Sequence, residues 1–389
     1  MQDWIVVGAG ITGATLAYEL AKQGFSTLLI DQSAQPQWAT RFSYGGIAYW
    51  SGTTEVMRQL CAEGIDIHRA LSAELDADTQ FREVDLLLTI PVSEEPTTIA
   101  ANYAQFAIPP KLLTVEAACE LEPLLNPAAI SGALTVKHGH IETEITTQAY
   151  CRAFQRLGGK LEIAQVRHLQ RNVTGNVIGV ITANTTLYAK NVAMCMGGMT
   201  RHFLKEAGIS VKQYFTHAEL IETPPIDLRL NTLVMPANAN RFALEATATR
   251  LEVEALWDTP GQEPAPAILD AGAVQFLDGT IRIGQVSRTL TDVNATIDAT
   301  QSEANLRQAI GHVLPRLSDL PGQWHRCLIA FSGDRLPLIG SIPGIEGLYL
   351  FSGFSNPLAI VPPLARRFAR QATGHPDPLL EAMSPSRFF

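Results

Sequence analysis

The chain has little cysteine and no cysteine pattern. Cys61, Cys119, Cys151, Cys195 and Cys327 are scattered, odd in number and without a C-x-x-C pair. That argues against a disulfide framework and a cysteine zinc site, and fits reduced thiols in a cytosol. No run of about eighteen apolar residues occurs, so no membrane-spanning helix is expected. The start, Met1-Gln2-Asp3-Trp4, carries no basic stretch ahead of the first apolar run. No signal peptide is expected, and the expected location is cytoplasmic. Positive charge is short: 29 Lys and Arg against 38 Asp and Glu give a net charge of −9. A nucleic-acid partner therefore has no electrostatic basis. Metal ligands are equally sparse. His138-Gly139-His140 offers two histidines with no clear third ligand nearby, so a turn is the expectation there and no metal site is assigned. At 389 residues the chain is long for one core, and two domains are expected.

The first thirty-one residues organise the rest. Trp4-Ile5-Val6-Val7 reads as a buried strand, Gly8-Ala9-Gly10-Ile11-Thr12-Gly13 as a tight turn opening a helix, and Leu28-Leu29-Ile30 as a second strand ending in Asp31. Gly8 permits the turn, Gly10 lets backbone N–H groups approach a pyrophosphate, and Gly13 lets the helix lie close to the sheet. The helix start, with Ile11 and Thr12, presents unpaired donors and a partial positive charge. Asp31, followed by Gln32, is positioned to accept from ribose hydroxyls. This dinucleotide fingerprint leaves NAD and FAD open. The absence of an Arg directly after Asp31 weighs against a 2′-phosphate.

Further along, Trp38 to Ile47 is a small-residue loop suited to backbone lying near a ligand, with Arg41 a candidate for a phosphate or a carboxylate. Helical period runs from Val56 to Leu71, and strands are expected over Phe81–Pro91 and Ile130–Thr135. A helix follows from about Thr146 to Leu157, then strands to Ala193, and Asn191 to Met199 ends in Gly197-Gly198. From 210 to 290 strand patterns dominate: Gln213–Glu222, Leu233–Met235, Phe242–Thr247, Val274–Phe276 and Ile281–Gly284. A helix is expected from about Ser302 to Val313 and another from about Pro362 to Thr373. The strand and glycine turn before the latter resemble a second anion-stabilising site, suited to a reduced flavin.

With these blocks assembled, the whole chain resembles the D-amino acid oxidase family of flavoproteins, the group with glycine oxidase and monomeric sarcosine oxidase. The resemblance rests on the fingerprint to Asp31, the Met194–Met199 strand end, Asp334–Gly340 and Leu348–Pro363. It implies an α/β (α+β overall) architecture: a Rossmann-like FAD-binding domain over 1–85, 140–210 and 320–389, and a substrate domain over 86–139 and 211–319 with a large, mostly antiparallel sheet. It implies FAD, a small-molecule substrate, and oxidation of a C–N bond by hydride transfer, with oligomeric state open. Gly8, Gly10, Ile11, Thr12, Gly13, Asp31 and Gln32 are then assigned to the adenosine and phosphates. Arg41, Gly45, Gly46, Val166, Gly197, Gly198, Cys327, Asp334, Gly353, Phe354, Ser355, Asn356 and Pro357 complete the cofactor set. Arg41, Tyr44 and His217 are the substrate-side candidates.

The departures from the family carry as much information. Where many members place a carboxylate-gripping Arg in the strand before the D-x-x-P block, this chain has Ile329. The sarcosine oxidase lysine falls on Ile360, and the arginine of glycine-oxidase-like members on Ser355. A buried carboxylate without a cation is expensive. Either Arg41 or Arg335 serves instead, or the substrate is not a simple amino acid. Cys327 lies at the spacing of the cysteine that bears covalent FAD in sarcosine oxidases; its alternative is a small buried hydrophobe. Two other readings stand beside the leading one: an NAD-dependent dehydrogenase, which the strand-rich 210–290 region disfavours, and a non-catalytic or partner-dependent FAD-binding subunit.

Overall fold

A computed structural model describes residues 1–389. Two sheets organise it. The first runs in the order Leu338–Ser341, Leu348–Ser352, Thr186–Met194, Gln2–Val7, Thr27–Asp31 and Lys160–Ile163, with Val166–Arg171 and Val177–Thr182 attached. Its central strands are parallel. Trp4 and Val6 pack on one face with Leu16 and Leu20 of the helix Ile11–Lys22, while Ile5 and Val7 pack on the other with Leu28 and Val180. Burial on both faces explains why this run is continuously apolar instead of alternating.

The second sheet follows the order Gln323–Ser332, Gln213–Glu222, Ile281–Arg288, Ile268–Gln275, Leu233–Pro236, Arg82–Pro91, Ile130–His140 and Gly46–Ile47, with Lys111–Leu113 beside Ile130–His140. One face buries Leu87, Ile221 and Ile283 against Leu306 and Ile310 of the helix Ala299–Val313. The opposite, inner face carries Leu86, Leu88, Val274 and Phe276, packed with Trp50 and Tyr44. The strand Gln323–Ser332, grouped in sequence with the cofactor segments, pairs along its whole length with Gln213–Glu222 and forms the edge of this covering sheet.

Three local expectations change. Phe242–Thr247 is not a strand but part of the helix Asn240–Ala248. Leu244 and Ala248, four apart, are both buried in the cluster containing Tyr214, Phe215 and Trp257, so the helical period wins over β propensity. His138 to His140 is not a turn but the end of the strand Ile130–His140, paired with Arg82–Val84. The His138 imidazole is accommodated there because the Trp50 indole N–H donates to its Nδ1 at 3.0 Å. The last long helix begins at Pro357, not Pro362, and runs to Ala372 through Pro362 and Pro363.

A proline inside a helix strips the carbonyl four residues back of its donor. For Pro362 that carbonyl is Leu358, and it accepts instead from His68 Nε2 at 2.6 Å. His68 lies on the helix Glu55–Glu74, which approaches so closely that a methyl on Gly64 would sit 1.8 Å from the Ala359 carbonyl oxygen. The break at Pro362 is thus tolerated because a neighbouring helix supplies the missing donor.

A second tie joins the two layers. Arg41, on the short helix Trp38–Arg41, makes a bidentate pair with Glu222 of the covering sheet, at 2.8 and 2.7 Å. Arg282 Nε donates to the same carboxylate at 2.8 Å, and its Nη1 to the Ser43 carbonyl. Burial alone raises the Glu222 carboxyl, but the two guanidiniums override it and hold it at about 2.

Two outcomes are expected. His68→Leu, which leaves the Leu358 carbonyl without a donor, lowers stability by about 1–3 kcal/mol, while His68→Gln retains more of it. Burial holds His68 at about 4 against an ordinary 6.5, so the unfolded chain takes up a proton that the folded chain refuses. Stability present above pH 6.5 is therefore lost as pH falls toward 4. Melting curves across that window have a shallower fall in His68→Gln, and an unchanged slope rejects the assignment. Glu222→Ala strands the buried Arg282 and lowers stability by about 3–5 kcal/mol in urea unfolding. A loss below about 1 kcal/mol would mean the pair behaves as a surface ion pair.

Candidate active site

Between the sheets lies a cavity of about 660 Å³, within the range of small-ligand and cofactor pockets. One end is built from the fingerprint. Gly8 has φ +103°, which a side chain rarely adopts, and a methyl on Gly13 would lie 1.8 Å from the Gly8 carbonyl oxygen. Helix and strand end therefore meet backbone to backbone. Gly10 caps the helix Ile11–Lys22 without any side-chain bond. The Ile11 N–H donates to Thr40 Oγ1 at 3.1 Å, while the N–H groups of Thr12 and Gly13 donate to nothing in the chain. Free amides at a positive helix end are what a pyrophosphate requires. Asp31 is fixed beside them: Oδ2 accepts from Ala9 N at 2.6 Å and Oδ1 from Ser33 N at 2.9 Å. The remaining lone pairs of its oxygens are open to ribose hydroxyls.

The cavity wall includes Gly8, Gly10, Ile11, Thr12, Asp31, Gln32, Val166, Gly197, Gly198, Gly353, Phe354 and Pro357. Gly13 lies beneath it, with its absent side chain as its contribution. Sequence reasoning missed Thr40, Leu328 and Ala330, which line the cavity, and named Cys195, Met196 and Met199 only as part of the Met194–Met199 block. Thr40, Leu328 and Ala330 belong to no motif block, so only the fold brings them to the wall.

Other residues lie behind or beside the wall. Arg41 is occupied by Glu222 and stands 3.4 Å from Glu144. Gly45 and Gly46 back onto His140 and His138. Asn356 Nδ2 donates to the Ala48 carbonyl at 3.2 Å, and Ser355 Oγ is buried without a partner. Asp334 is paired with Arg387 at 2.6 Å, and the Arg335 guanidinium lies over the Phe242 ring at 4.0 Å. His217 is fully buried with Nε2 3.0 Å from the Asp292 carbonyl oxygen, a structural contact. Ile329 is on the wall itself, and Ile360 is sealed in the core of the first layer.

Four groups on the inner face of the covering sheet are held neutral by burial. Burial lowers His138 to about 4; burial, then Arg82 and His138, lower His140 to about 3. Burial pushes the Cys327 thiol up to about 12 and raises the Tyr44 phenol as well. All four groups are neutral at neutral pH. The Tyr44 hydroxyl and Thr216 Oγ1 are buried without a hydrogen-bond partner. Thr216 is the register partner of Ile329.

The geometry agrees with what known proteins share with this chain. The family model described as FAD dependent oxidoreductase matches residues 3–371. The 4-methylaminobutanoate oxidase (formaldehyde-forming) of Paenarthrobacter nicotinovorans is 25% identical over 277 residues, covering 70% of this chain and 34% of that longer protein. The uncharacterized oxidoreductase YurR of Bacillus subtilis (strain 168) is 25% identical over 391 residues, covering 96% of this chain and 95% of its own. The crystal structure of glycine oxidase from Geobacillus kaustophilus matches with a TM-score of 0.80 at 19% identity, covering 99% of this chain and 98% of that one, and so shares the fold. No helix is long and apolar enough to cross a membrane. With a family match over nearly the whole chain and a cavity whose free amides, glycine backbone and acid fit the cofactor, the protein belongs to the DAO family of FAD-dependent oxidoreductases.

Proposed function

We propose that this enzyme oxidises the C–N bond of a small amine, with FAD as the hydride acceptor. The observation that carries the reading is Ile329: an apolar side chain stands on the wall where the family resemblance puts a carboxylate-gripping cation. In register with it on the next strand, Thr216 Oγ1 is a buried polar atom with no protein partner, not a cation. His138, His140 and Cys327 stay neutral near pH 7 and carry no charge to balance a carboxylate. They also supply no ready base, so the reacting nitrogen must arrive unprotonated. We assign 1–85, 140–210 and 320–389 to FAD binding, with the strand Gln323–Ser332 crossing into the covering sheet.

The purified protein is expected to be yellow, with flavin released to the supernatant on acid precipitation, because the Cys327 thiol is a protonated core group. Colour left in the pellet would overturn that and make Cys327 the first residue to replace. Gly13→Ala is expected to abolish FAD retention, since the new methyl meets the Gly8 carbonyl at 1.8 Å. Retention of full flavin content would contradict the backbone contact. Under anaerobic conditions small amines are expected to bleach the flavin band while glycine does not. Bleaching by glycine alone would replace the amine reading with an amino-acid one.

A further inference from the structure

One tryptophan is out of place. The chain has five. Trp4, Trp50 and Trp257 are buried among aromatic rings, and Trp324 donates its indole N–H to Ser302 Oγ at 3.0 Å. Trp38 is 40% exposed, and its indole has neither a ring partner nor an acceptor for its N–H within the chain. Its backbone is costly as well. Its φ is +60°, in the left-handed region where a bulky side chain is an outlier. Glycine would hold the same turn without strain. A single exposed apolar side chain on an open surface needs no explanation. This one lines the cavity.

The fingerprint fixes which end of the cavity it lines. Residues 31 to 40 form a segment held at both ends. At its start the Asp31 carboxylate accepts from Ala9 N at 2.6 Å and Ser33 N at 2.9 Å. At its far end Thr40 Oγ1 accepts from Ile11 N at 3.1 Å, so close to Gly10 that a methyl there would lie 2.9 Å from that oxygen. Asp31 is the acid open to ribose hydroxyls, and Ile11 opens the helix whose free amides suit a pyrophosphate. Between these two anchors Pro36, Gln37 and Trp38 all line the cavity. Ile329 and Ala330, by contrast, line it from the edge strand of the covering sheet. Trp38 therefore belongs to the adenosine diphosphate end.

We infer that Trp38 is a cofactor-binding residue: its indole covers the adenosine diphosphate half of FAD and is buried by it. A purine and an indole offer each other flat π-faces, and the contact asks for no acceptor on the indole N–H. The strain of the left-handed backbone and the exposure of the side chain are then both offset when the site fills. A packing role does not account for the residue, since it stays exposed within the chain.

The test is hydroxyl-radical footprinting of the holoenzyme, read by mass spectrometry, with Trp50 and Trp257 as buried internal references. Trp38 is expected to be oxidised as slowly as those two. Oxidation at the rate of an exposed tryptophan overturns the inference, and this comparison needs no variant. Two variants then test the contact itself. Trp38→Phe is expected to hold FAD about as well as the wild type. Trp38→Gly is expected to release FAD about tenfold faster on dilution, the effect of one lost base–aromatic contact. The flavin absorption band is expected to keep its position in both, because the contact lies at the other end of the cofactor. Wild-type release from Trp38→Gly, release from Trp38→Phe as fast as from Trp38→Gly, or a shifted flavin band would each overturn the inference. The footprint decides even if a variant fails to fold.

Discussion

Glu222 is where the molecule is held shut. One carboxylate serves a guanidinium from each layer: Arg41 from the loop after the second fingerprint strand, and Arg282 from the covering sheet itself. The arrangement leaves an excess positive charge, which Glu144 partly offsets at 3.4 Å from Arg41. Because Arg282 is almost fully buried, the triad has one low-energy geometry and no cheap alternative. The loop running on to Tyr44, Gly45 and Gly46 is pinned at its start, and the Ser43 carbonyl is drawn to Arg282. The contact ties the covering sheet to the segment that lines the cavity at Thr40 and Ser43.

Between those layers the protein keeps two kinds of environment apart. The fingerprint end offers free amides, glycine backbone and one oriented acid, which is polar chemistry for an anionic cofactor. The covering face offers neutral imidazoles, a protonated thiol and an isoleucine. Desolvation does most of that work, since each of these groups is neutral because burial disfavours its charged form.

The cofactor end was legible in the sequence because its determinants are local. Gly8, Gly10, Gly13 and Asp31 fall within one strand–helix–strand unit, and their spacing fixes their geometry. The helix Asn240–Ala248 was misread because Phe242, Leu244 and Thr247 suit a strand, while the tertiary partner of Leu244 and Ala248, the Trp257 cluster, is invisible to local pattern. Pro362 and Pro363 read as a helix start because a free helix would begin there; His68, nearly 300 positions earlier, removes that limit.

The first sheet has a temporal consequence. Its parallel core joins Gln2–Val7 to Thr186–Met194, and that strand in turn to Leu348–Ser352. Contacts of such long sequence separation form slowly and late. A nascent chain carrying only its amino-terminal unit displays the whole pyrophosphate signature but lacks the strand that ends at Gly353 and Phe354. During synthesis the fingerprint is therefore an exposed half-site on an unfinished sheet, vulnerable to wrong pairing at its open edge. A ligand that binds only the completed site favours the finished fold by mass action.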